Sequence, residues 1–183
     1  MKKCIAAIVA ASLAFTVGAA SAQDKKTRIA IGTGGTSGVY YPLGGGLAAV
    51  LSKYVPGVDA TAEVTAGSIA NLQLIGGGKS EMGFTMADSA WDAYNGLEKF
   101  KDKKVGLRTL VVFYPNRMQV VTVDGKGIEK FADLKGKRIS TGAPASGTEV
   151  MSMRLLEAHG IDPNKDVTRE RLSVGESVSA LKD

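Results

Sequence analysis

The chain contains a single cysteine, Cys4, and a single histidine, His159. Each scarcity removes a class of chemistry. Cys4 lies in an amino-terminal stretch that reads as an export signal, too near the start to be a lipid-attachment cysteine. The mature chain is therefore expected to hold no disulfide, no thiol nucleophile and no thiolate metal site. His159 precedes Gly160 and Pro163 at what reads as a helix end, where a cation complements the helix dipole. With that one imidazole in a capping position, Ser-His and Cys-His catalysis are disfavoured. Aromatic residues make up only 6% of the chain, and few accompany the basic clusters Lys99–Lys104 and Lys135–Arg138, so a nucleic-acid surface is not expected. Charge is also thin. The formal +5 falls to about +3 without Lys2 and Lys3, a mild value that favours acidic small molecules only through the general field. Long apolar runs are lacking too: Cys4–Gly18 is short for a membrane span, and no second run follows it.

What is present begins with export. Lys2 and Lys3 precede the apolar run, and Ala20-Ser21-Ala22 matches the small-x-small cleavage pattern. Residues 1–22 are read as a signal peptide cleaved after Ala22, which places the protein in the periplasm. About 160 residues remain, enough for one domain and part of another.

The stretch Gly32–Tyr41 organises the rest. Thr27–Ile31 reads as a strand, and Leu43, Leu47, Val50, Leu51 and Tyr54 share a helical face after Pro42. The glycines and hydroxyls between them sit at a helix start, where free N–H groups and the dipole favour an anion. Alternating elements follow: a strand at Asp59–Val64, a helix with Ile69 and Leu72 stopped by Gly76–Gly78, and a short strand at Met82–Met86. Asp88 or Ser89 then caps a helix carrying Trp91 and Tyr94. Such alternation argues for a parallel sheet with ligand contacts at the carboxyl ends of its strands. Leu107–Phe113 reads as a buried strand and Met118–Val123 as extended chain, the crossing into a second unit. Ile128–Leu134 reads as a short amphipathic helix.

The opening pattern then returns. Thr141–Thr148 follows a strand and precedes a helix with Met151, Leu155 and Ala158 on one face, echoing Thr33–Gly38. Val174–Val178 likewise echoes Thr65–Ile69, so the chain reads as an approximate repeat whose second copy is cut short at Asp183. The domain reading is lobe one at 23–117 and an incomplete lobe two at 118–183.

Enzymatic motifs are absent or weak. Gly35-Thr36-Ser37-Gly38 lacks the nucleophile-elbow spacing. Ser179-Ala180-Leu181-Lys182 stands without the partner motifs that would give Ser-x-x-Lys meaning. Asp88 and Asp92, four apart, read as a cap and a solvated face. No metal-ligand cluster and no cofactor motif is visible. The glycine turn lacks the Gly-Lys-Ser/Thr of a phosphate loop, and Ser37 stands where a third dinucleotide glycine belongs. Binding without catalysis remains, with Thr36, Ser37, Ser68, Ser146 and Thr148 at helix starts. One such turn is an ordinary cap; several in two similar units argue for a cleft. Tyr40 and Tyr41 either wall that cleft or staple the first helix to the sheet.

These residues resemble a known family. Ile31–Pro42, Thr65–Leu72, Met82–Asp88 and Phe131–Ile139 are similar to motifs of the TAXI-type solute-binding subunits of TRAP transporters, over nearly all of the mature chain. The resemblance implies an α/β fold of the periplasmic-binding-protein type II kind, two lobes with mixed sheets closing like a clamshell, the second truncated here. It implies a monomer that captures a small organic acid or acidic amino acid, such as glutamate or 2-oxoglutarate, for a TRAP-type membrane permease. Carried over by motif, Thr36, Ser37, Gly38, Tyr40, Ser68, Asn71, Thr85 and Asp88 line lobe one, and Ser146, Gly147 and Thr148 line lobe two. Asp88 suits an ammonium group or a cap better than a carboxylate. Family members run to about three hundred residues, so the chain as written, with the closing half of the cleft incomplete, is expected to bind weakly or not at all. The rivals are an exported enzyme using Ser37 or Asp88, and an interaction protein with no small ligand.

Overall fold

A computed structural model describes residues 26–183; the signal-peptide reading lies outside them. The first unit runs β1 (Thr27–Gly32), α1 (Tyr40–Tyr54), β2 (Val58–Glu63), α2 (Ser68–Gly76), β3 (Met82–Gly83) and α3 (Ala87–Asn95), then a 3-10 turn at Glu98–Phe100. Its strands lie in the order β2-β1-β3, with β1 parallel to both neighbours. The second unit runs a 3-10 turn at Phe131–Leu134, β4 (Arg138–Ser140), α4 (Gly147–Ala158), β5 (Thr168–Glu170) and α5 (Val174–Lys182), with β4 and β5 parallel. The fold is α/β. The described pairings are all parallel, where mixed sheets were expected; each strand returns through a helix, which forces parallel succession.

Burial follows the pattern of the sequence. Ile31, Ala48, Ala60 and Phe84 form one core between β1, α1 and β2, joined by Leu43, Leu47 and Leu51. Ile69, Leu72, Ala93, Phe100 and Val105 form a second between α2 and α3, against which Ala145 and Val150 also pack. Leu134, Leu156 and Ile161 form a third in the second unit.

The repeat is physical. Thr33 N donates to Glu63 O at 3.0 Å and Thr141 N to Glu170 O at 2.9 Å. Both hydroxyls reach the same carbonyls, at 2.6 and 3.4 Å. In each unit a buried threonine after the first strand locks onto the glutamate ending the second strand.

Three expectations are corrected, and one strand went unforeseen. Leu107–Phe113 and Met118–Val123 join no sheet, and Leu110 and Val112 are 72% and 79% exposed. An apolar β-pattern is a strand only when a neighbour supplies the ladder, and none does among the described residues. The helix at Ile128–Leu134 contracts to the 3-10 turn, since Asp133 Oδ2 accepts from the backbone of Glu129 and Lys130 and fixes the turn's start. Helix α3 is capped by neither Asp88 nor Ser89; Met86 occupies its N-cap without a side-chain bond. Strand β5 at Thr168–Glu170, three residues with no alternation to announce it, was missed.

Candidate functional site

The starts of the helices gather at one place. Ser68, first residue of α2, is buried, and its Oγ accepts from the N–H of Met86, the N-cap of α3, at 3.1 Å. Tyr40, first residue of α1, accepts through its phenol from Asn116 Nδ2 at 3.3 Å, with the Ser68 hydroxyl close by. Gly147, first residue of α4, packs against Ser68 and Met86. A Cβ there would lie 2.5 Å from Ser68 Oγ and 2.7 Å from Met86 Sδ, so only glycine allows this approach. Beside them Ser37 Oγ accepts from Gly175 N, in the first turn of α5, at 3.1 Å.

The helices differ in how these ends are satisfied. Helices α4 and α5 are capped by Ser146 and Ser173, which accept from Glu149 N and Glu176 N. Helices α1, α2 and α3 have no side-chain cap. Ala70 N in α2 donates to Ala145 O at 3.1 Å, a carbonyl presented by a residue at φ +61°. Among the described residues, the N–H groups of Tyr40, Tyr41, Ser68, Ile69, Ala87 and Asp88 find no protein acceptor. Uncapped helix ends carry partial positive charge and unused donors, the requirements for holding an oxyanion.

The sequence-expected residues therefore separate by role. Tyr40, Ser68 and Gly147 lie at the convergence, and Ser37, in the turn before α1, meets α5 at Gly175. Thr36 and Gly38 lie in the turn beside it, where Gly38 N closes onto Gly35 O at 2.9 Å. Thr85 is half-buried, its hydroxyl on Met86 O. Ser146 is a cap, and Thr148 is exposed behind it, against Gly142. Asn71 is a brace: fully buried, it donates to Thr33 O and Phe84 O at 2.7 Å each and accepts from Thr65 Oγ1 at 2.6 Å. Gly32 lets it lie so close, since a Cβ would stand 2.5 Å from Asn71 Oδ1. The reading of Asp88 and Asp92 as cap and solvated face is corrected: both grip Arg154 of α4, at 2.8 and 2.5 Å. Burial opposes the charge on Arg154, but the two carboxylates outweigh it and hold its pKa above the usual value. His159 caps α4 as expected, with Nδ1 2.8 Å from Leu155 O.

Sequence reasoning missed Ala145 and Arg154, which act across the two units, and Asn116, which bonds a tyrosine 76 residues away in the chain. It also missed an aromatic column. Tyr40 and Phe84 have ring centroids 5.4 Å apart, and Phe84 and Phe113 stack at 5.2 Å. Burial pushes the Tyr40 phenol upward, and Tyr114 rises through burial and its proximity to Tyr40. Among the described residues no group of acidic, histidine or cysteine side chains fits a metal, and no helix is long and apolar enough to cross a membrane. An open groove of about 490 Å³ along α2 is lined by Val64, Thr65, Ala66, Ala70, Gln73 and Lys79.

A solved structure shares the architecture. The alkanesulfonate-binding protein SsuA from Xanthomonas axonopodis pv. citri, bound to MOPS, is similar at a TM-score of 0.52 and 19% identity, over 85% of this chain and 51% of that one. The periplasmic aliphatic sulphonate binding protein SsuA from Escherichia coli gives 0.49 and 17%, over 85% and 50%. This chain spans about half the length of each. At such identity the first likeness establishes the fold, of the periplasmic-binding-protein type II kind. The sequence pattern of the NMT1-like family matches residues 31–183, and the chain belongs to that family.

Proposed function

We propose that this protein is an exported solute-binding protein that captures a small organic anion and delivers it to a membrane permease. The observation that carries the reading is the gathering of uncapped helix starts at Tyr40, Ser68 and Ala87, with α4 and α5 brought against them. Neutral backbone donors suit a ligand that must be held and released unchanged. Ser37 is bonded to a backbone N–H and Asp88 to an arginine, so neither adjoins a base that would make it a nucleophile. The similar alkanesulfonate-binding protein supports an oxyanion head in general. The motif resemblance to TAXI subunits supports a carboxylate and a TRAP-type permease in particular, with glutamate and 2-oxoglutarate among the candidate acids. On this reading 23–117 and 118–183 are two lobes, the periplasm is the working compartment, and Ser37, Tyr40, Ser68 and Gly147 surround the head group.

Calorimetric titration of the exported protein with acetate, 2-oxoglutarate, glutamate and methanesulfonate tests it. At least one anion is expected to bind and return unmodified, with Ser37→Ala weakening it several-fold. Chemical turnover of a bound acid, lost in Ser37→Ala, would instead establish the enzyme.

A further inference from the structure

We propose that the ligand carries one acidic head on a flat apolar body, and that Phe113 and Tyr114 close over that body. This rests on the anion-binding reading above. Three observations carry it.

The first is the aromatic column. Phe84 is 8% exposed and anchored in the core, while Phe113, stacked on it, is 48% exposed and outside the core clusters. Tyr40, the first residue of α1, continues the column to the helix starts. An apolar surface thus runs directly to the helix starts, the arrangement that holds a ring by its face and an acid by its end.

The second is attachment. Phe113 and Tyr114 belong to the unpaired stretch between the two units. Phe113 stacks on Phe84, and Asn116 donates to Tyr40 OH. Among the described residues, backbone bonding from Arg108 to Val123 is absent outside that stretch's own side chains. The segment is free to shift over an occupant without breaking a sheet.

The third is charge. Arg154, the guanidinium that reaches the first turn of α3, has both ends taken by Asp88 and Asp92. Among the described residues, no lysine or arginine side chain bonds to Thr33–Tyr40, Ser68 or Gly147. Partial charges of helix ends match one oxyanion. A second carboxylate finds no cation bonded at the helix starts themselves, and an ammonium group would find Asp88 already paired with Arg154.

Calorimetry with phenylacetate, acetate, 2-oxoglutarate and glutamate, on the protein and on Phe113→Ala, reads the inference out. Because Phe113 lies outside the core, the variant is expected to fold, checked by its circular-dichroism melt, and Phe113→Leu supplies a second apolar but unstacked side chain. Phenylacetate is expected to bind at least tenfold more tightly than 2-oxoglutarate. Phe113→Ala is expected to remove at least tenfold of that and leave acetate unchanged, with Phe113→Leu intermediate. If 2-oxoglutarate or glutamate binds as tightly as phenylacetate, or Phe113→Ala leaves phenylacetate unaffected, the inference is wrong and the anion-binding reading stands. If none of the acids binds, both fall.

Discussion

Asn71 shows how much a single side chain holds in place. Its two N–H donors and its carbonyl are all used, tying the end of β1 and the residue after β3 to the start of α2. Truncation leaves the Phe84 carbonyl without a partner, worth about 1–3 kcal/mol when orphaned, while Thr33 O keeps Thr65 Oγ1 at 3.1 Å. Asn71→Ala is expected to cost about 2–4 kcal/mol in urea unfolding, and a loss under 1 kcal/mol would mean that water takes over these bonds. The motif containing Asn71 was visible in the sequence, but its role was not. An amide after Gly67-Ser68 reads equally as a ligand contact or a brace until its neighbours are known. Thr33 and Thr141 were likewise visible as an echo, and only the shared bond to Glu63 and Glu170 gave the echo a physical meaning.

At the scale of elements, the helix starts were well anticipated and the strands between the units were not. Glycine, serine and threonine mark helix starts through local backbone chemistry, which a sequence displays. A strand is completed by a partner elsewhere, so Leu107–Phe113 carries the pattern of a buried strand and remains unpaired. The contact between α3 and α4 is of the same non-local kind. Asp88 and Asp92 stand one turn apart on α3 and share Arg154, with Asp92 nearly buried. Removing the arginine strands a buried carboxylate. For a pair of this intermediate exposure, Arg154→Ala is expected to cost about 1–3 kcal/mol, below the value for a fully buried pair. Adding Asp88→Asn and Asp92→Asn should restore most of the loss in thermal unfolding. If the triple variant is no better than Arg154→Ala, packing and not charge joins these helices.

For the whole molecule, acid is the informative stress. Asp133 is held below its usual 3.8 by the backbone N–H groups of Glu129 and Lys130, Asp162 by that of Asn164, and Asp166 by that of Asp162. Glu176 is held below 4.5 by Ser173. Each carboxylate binds its proton less readily folded than unfolded, so its contribution is complete above about pH 4.5 and drains away as pH falls through 3.8 and below. All four lie in the second unit. Hydrogen exchange at pH 7 and pH 3, corrected for intrinsic rates, is expected to show β4, β5 and α5 losing protection before β1 and β2. Asp133→Asn with Asp166→Asn should flatten that difference. Equal loss in both units would show that they unfold as one.

The sequence by itself determined the alternation of strand and helix, the repeat, and the placing of small polar residues at helix starts, because these are written in neighbours a few residues apart. It also determined what chemistry is missing, since a chain with one cysteine and one histidine has few catalytic options. The tertiary structure alone decided which of those starts meet. It turned Asn71 inward as a brace, engaged Asp88 with Arg154, and stacked Phe113 on Phe84. Each of these depends on contacts between residues far apart in the chain, and such contacts form only when the sheet and helices pack.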